Sequence, residues 1–218
     1  MIKVSSKNYD FYFNIGSLAE KDIDNIIKIQ EKCYTDICNV LNIKPKLRIK
    51  YYLLETPELV GKAYGDNEPC NGFASPPDTI YAVYNKDVKC IGYHEDAHII
   101  SYTINRPDSP FIREGLAMFF DKVWWNRKNE DWVIEYLKNN KYISIVKLLD
   151  KDTFFSYPDH VTYPIAGSFI KFLIEKFGIN KFLELYKKNS NYIKHIEDIY
   201  GIKIYDIESE YKQLVLKL

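Results

Sequence analysis

His94 and His98 stand four residues apart in the stretch "GYHEDAHII", with Glu95 directly after the first, in a chain of 218 residues that has only four histidines. On an α-helix, positions four apart differ by about 40° of rotation, so both imidazoles project from one face and can meet one metal ion. Glu95 lies one step round, within reach of a water beside that ion without ligating it. This is the physical content of H-E-x-x-H: two neutral imidazole ligands and a neighbouring general base. The competing reading is a pair of structural histidines that share a helix face. A catalytic zinc commonly takes a third protein ligand and leaves one position open. The longer histidine-rich motif needs Gly at 101 and His at 104, but the chain has Ser101 and Ile104, which excludes it. Downstream, "FIREGLAMFF" offers Glu114. Pro107 and Pro110 would reverse the chain before it, letting a second helix return with Glu114 near its start. Asp108, in the intervening loop, is the rival third ligand. Glu114 is preferred because a helix holds a ligand more firmly than a proline-flanked loop.

The elements that must position these residues are legible in outline. "YDFYFNI" and "KLRIKYYLL" are rich in aromatic and β-branched residues and read as strands. Between them, "AEKDIDNIIKIQEKCYTDICNVL" repeats its apolar residues at three and four and reads as an amphipathic helix. Asn71 to Pro77 is turn chemistry, and "TIYAVY" after it is a short strand. Residues 91 to 104 carry helical spacing, "NRPDSP" breaks the chain, and from Phe111 onward the pattern is helical almost throughout. Strands early and helices late predict an α+β fold. The expectation is one domain over 1–218. A small sheet lobe spans about 1–90, and the histidine helix with a helical C-terminal lobe spans about 91–218.

Composition narrows the function classes. Hydrophobic residues make up 46% and charged residues 28%, with a formal net charge of zero. That balance argues against disorder and gives no push towards nucleic acid or an anionic membrane. No apolar run approaches the ~18 residues of a membrane span. The N-terminus lacks the apolar core of a secretory signal, so a cytoplasmic protein is expected, or a secreted one if a leader has been removed. Cys33, Cys38, Cys70 and Cys90 form no Cys-x-x-Cys pair and are expected to be idle thiols. Trp124 and Trp125 are expected to pack and cover surface, Arg113 to be a surface or supporting charge, and His195 to be exposed.

H-E-x-x-H followed by a Glu-Gly-x-Ala helix resembles the gluzincin group of zinc metallopeptidases, the thermolysin-like branch of the peptidase MA superfamily, in its small single-domain bacterial form. The resemblance runs from about Gly72 to Gly178. It takes in "NGFASPPDTIYAVY", similar to the edge strand that the group uses to align substrate, and "YPIAGSFIKFLIEKFG". It implies that His94, His98 and Glu114 hold one Zn2+ per chain and that Glu95 is the base for peptide-bond hydrolysis. A peptide or protein substrate would pair with the backbone near "TIYAVY". In that group a tyrosine or histidine of the C-terminal lobe commonly stabilises the oxyanion, a role that here falls to Tyr163 or His160. Thr162 reads as the N-cap of their helix, with Pro164 in its first turn. One departure stands out: the group places an aspartate four residues after its glutamate ligand, where this chain has Met118. Asp121 is then the candidate partner for a ligand histidine. The alternatives are a zinc-binding interaction module and a zinc hydrolase acting on another amide.

Overall fold

In the computed structural model, which describes residues 1–65 and 67–218, the chain divides into two compact units, Met1–Thr103 and Ile104–Leu218. The first contains β1 (Ile2–Ser5), β2 (Tyr9–Phe13), α1 (Leu18–Leu41), β3 (Ile49–Leu54), α2 (Pro57–Tyr64), β4 (Gly72–Ser75), β5 (Thr79–Val83) and α3 (His94–Ser101). The second contains α4 (Pro110–Asp121), a small hairpin of β6 (Val123–Trp124) and β7 (Arg127–Lys128), α5 (Asn129–Lys138), α6 (Ile145–Leu148), α7 (Lys151–Ser156), α8 (Asp159–Phe177), α9 (Ile179–Tyr186), α10 (Tyr192–Tyr200) and α11 (Ile204–Val215). The fold is α+β, and the histidine helix falls in the unit that holds the sheet.

The sheet has the order β1-β2-β3-β5-β4, with β2, β3 and β5 parallel and both outer strands antiparallel to their neighbours. Residue alternation sorts its two faces. Tyr9, Phe11, Phe13, Tyr51, Leu53, Ile80 and Ala82 are buried on one side. The other carries one register row across all five strands: Lys3, Tyr12, Tyr52, Tyr81 and Phe73. The four rings of that row stack at 4.6 to 4.9 Å between centroids. Such cross-strand pairs stabilise the sheet and fix its register.

The stretch "NGFASPPDTIYAVY" corrects two expectations. Gly72–Ser75, read as turn, is a strand, and β5 lies inside the sheet between β3 and β4. Both sides of the β5 backbone are therefore used, and an added strand can pair only beyond β4 at that edge. The physical reason is that the prolines confine the turn to Pro76–Asp78, so the segment before them doubles back as a partner for β5.

α1 begins with a capping arrangement in which Ser17 Oγ accepts the Glu20 N–H at 3.3 Å and Glu20 Oε2 accepts the Gly16 N–H at 2.6 Å. Its buried stripe runs through Ile26, Gln30, Cys33, Ile37 and Leu41, so a glutamine occupies a position that the helical period assigns to the core.

In the second unit, α4 and α8 pack closely because glycines face one another's helix. A Cβ on Gly115 would lie 2.5 Å from Ile170 Cγ1 and 3.0 Å from the Ala166 carbonyl oxygen. One on Gly167 would lie 2.5 Å from Met118 Cβ. The start of α8 corrects a further expectation: the helix opens at Asp159, Thr162 is inside it, and Pro164 interrupts its hydrogen bonding. Proline has no N–H to offer the carbonyl four residues back, which is that of His160. The Tyr136 hydroxyl donates to this carbonyl instead, at 2.7 Å.

That substitution of a phenol for a missing helix N–H makes an energetic prediction. Tyr136→Phe should destabilise the protein by about 1 kcal/mol, the cost of losing a part-buried hydrogen bond. In a Pro164→Ala background, where the backbone N–H at this position is restored, the cost should shrink to a few tenths. A double-mutant cycle by urea unfolding measures both, and equal costs in the two backgrounds would contradict the assignment.

Candidate metal centre

α3 has only eight residues, and its N-cap, Tyr93, makes no side-chain capping bond. An isolated helix of this length is marginal in water, so packing must hold it. Ala97, Ile99 and Ile100 supply that packing, each at most 1% exposed. The polar face carries the two histidines. The His94 and His98 rings lie 5.0 Å apart with planes at 83°, as expected for side chains one helical turn apart. His94 and Glu95 are half-buried, and His98 is 6% exposed.

Glu114 lies in the second turn of α4, 9% exposed. Each of His94, His98 and Glu114 offers one ligand atom, and these atoms all lie within 4.8 Å of one another. Ligands around a tetrahedral zinc at ~2.0–2.2 Å would be roughly 3.3–3.6 Å apart. The two imidazoles and the carboxylate are the donor types that a catalytic zinc takes, and three donors leave a position open. The residue types and their approach fit the metal. Asp108 is not in this group. Its backbone carbonyl and that of Pro107 instead accept from Arg113, at 2.9 and 2.6 Å, so Arg113 fastens the loop that leads into α4.

Glu95 is positioned against the edge strand. A Cβ on Gly72 would lie 3.3 Å from Glu95 Oε1 and 2.9 Å from Cys90 Sγ, so the first residue of β4 gives the carboxylate room only as glycine. None of the four cysteines is in a disulfide.

Several residues that support the site escaped the sequence reading. Tyr102, one turn past His98, places its hydroxyl 3.3 Å from His98 Nδ1. A partner on one ring nitrogen fixes which nitrogen faces the metal. Asp121, the residue expected for such a role, ends α4. Met118, in place of the group's aspartate, is wholly buried in the helix pair with Gly167. Asp96, the residue after Glu95, is wholly buried with its Oδ2 held by the Gln30 side chain at 3.1 Å and by the Tyr9 hydroxyl. Burial drives the Asp96 carboxyl well above the usual carboxylate range, against the opposing pull of those two hydrogen bonds. The Tyr9 hydroxyl is also 3.0 Å from the Gln30 carbonyl oxygen.

Tyr163 and His160 are on α8. Tyr163, half-buried one turn into the helix, packs against Trp124 at 5.1 Å and Phe154 at 5.7 Å. The side chain of His160 is 52% exposed, 6.4 Å from the Trp132 ring. Trp125 is 73% exposed at the hairpin tip, and His195 is half-buried rather than exposed. No helix among the described residues is long and apolar enough to cross a membrane. Comparison with family models, with curated proteins and with solved structures finds no match for this chain.

The close α4–α8 approach holds the turn that carries Glu114. Gly115→Ala should force the helices apart, cost about 1–3 kcal/mol, and weaken zinc binding with it. Urea unfolding and a zinc titration of the same preparation check this. An unchanged midpoint would show that the contact yields without strain.

Proposed function

We propose that this protein is a zinc-dependent peptide hydrolase of the gluzincin kind. The observation that carries the proposal is the approach of His94, His98 and Glu114 to within 4.8 Å of one another, on donor types suited to zinc, with Glu95 next to the first ligand. Zinc held there would supply Lewis acidity towards water and towards a substrate carbonyl. Glu95 takes the proton from the attacking water and returns it to the departing amine, so that water and a peptide become an acid and an amine. A purely structural zinc site has no use for such a base.

The substrate class follows from the edge of the sheet. Among the described residues β4 is paired on one side only, and its first residue is the glycine beside the Glu95 carboxylate. An extended chain that adds to β4 through backbone hydrogen bonds is thereby led past the base. Tyr163 is the proposed oxyanion donor, since a phenol stays neutral at pH 7 and can donate a hydrogen bond.

Purified protein should hold one zinc per chain and lose it in the His94→Ala, His98→Ala double variant. Glu95→Gln should keep zinc and fold while losing nearly all cleavage of an unbiased peptide library. Tyr163→Phe should lower kcat by ~10²-fold at unchanged zinc content. A zinc-loaded wild type that cleaves no peptide would overturn the peptidase reading in favour of a binding module or another amide hydrolase. Equal cleavage by Glu95→Gln would remove Glu95 from the mechanism.

A further inference from the structure

We propose that Gln30 of α1 is a positioning residue of the metal site, which holds the start of α3 so that His94 is set in its ligating orientation before metal arrives. The inference rests on the zinc reading of the site. Gln30 is wholly buried, and its carboxamide makes three bonds to the segment around His94. Its Nε2 donates to the Gly92 carbonyl oxygen at 3.1 Å and to Asp96 Oδ2 at 3.1 Å, and its Oε1 accepts the Gly92 N–H at 2.8 Å. Both amide hydrogens are thus in use. The contacts fall two residues before His94 and two residues after it, so one side chain brackets the first ligand.

Two features of the chain make such a clamp necessary. Gly92 has φ of +134°, a conformation open to glycine alone, so the turn into α3 has few intrinsic restraints. The helix that follows has no side-chain N-cap. Tyr9 reinforces the clamp by donating to Asp96 Oδ2, and the Tyr93 hydroxyl donates to Asp36 Oδ2 of α1 at 2.7 Å. A glutamine kept only for packing would not need all of its polar atoms directed at the residues around a ligand. Residues that orient metal ligands typically contribute 10- to 100-fold in metal affinity.

The test is a competition titration of Zn2+ against a chelating dye, with the full chain as wild type, Gln30→Leu, Gln30→Glu and Tyr9→Phe. Val60→Ala, a core truncation on α2, serves as a control for lost stability alone. Gln30→Leu should weaken zinc binding about 10- to 100-fold, and Tyr9→Phe should weaken it by less. Val60→Ala should bind as the wild type does while folded. Gln30→Glu keeps the acceptor for Gly92 and loses both donors, so it decides the matter if Gln30→Leu does not fold. A folded Gln30 variant that binds zinc within about threefold of wild type overturns the clamp, because an orienting residue contributes more than that. A Val60→Ala variant as impaired as Gln30→Leu does the same, since it reduces the effect to stability. A wild type that takes up no zinc removes the metal reading itself, and the clamp falls with it.

Discussion

Two imidazoles can share one metal ion only while a helix keeps them on one face, and here that helix is eight residues long. Its own hydrogen bonds cannot sustain it. What sustains it is burial of Ala97, Ile99 and Ile100 together with a polar contact that enters from α1, where Gln30 grips Gly92 and Asp96. The sheet contributes Tyr9 to the same knot. Polar groups buried this deeply destabilise a fold unless their hydrogen bonds are met. The network therefore fixes one arrangement of the helix at the expense of a simpler apolar core. Asp96 Oδ1 remains without a hydrogen-bond partner in this arrangement, and we have no physical account of it.

The same economy of restraint appears around Glu114. Its neighbour Gly115 lets α4 lie against Ala166 and Ile170 of α8, and Met118 one turn on fills the space beside Gly167. The apolar residue that replaces an expected aspartate is thus a packing element, and Tyr102, the residue that closes α3, is one partner of His98. α8 itself tolerates an internal proline because Tyr136 from α5 meets the carbonyl that the proline leaves open.

Much of this was legible in the sequence where a local rule governs. The period of α1, the aromatic and β-branched content of β2 and β3, and the spacing of His94, Glu95 and His98 are each features of a single element. α2 has Thr56, Pro57 and Gly65 at its ends, but its apolar residues are too few to show a period. β4 was missed since glycine, serine and proline signal a turn, and only pairing with β5 makes Gly72–Ser75 a strand. Thr162 and Pro164 imitate a helix start inside α8, and the compensation by Tyr136 is a tertiary contact that no local rule contains. Gln30 left a trace as a polar residue in the buried stripe of α1, but its partners lie some sixty residues away and only the fold brings them together.

The ligand set is the central feature of the proposed site. X-ray absorption of the zinc-loaded protein reads it directly, because sulfur and lighter donors differ in distance and scattering. Two imidazole nitrogens and a carboxylate oxygen from His94, His98 and Glu114 predict a shell at about 2.0–2.2 Å with imidazole outer-shell features and no sulfur. A sulfur shell at about 2.3 Å, which would assign the metal to cysteine, would contradict it.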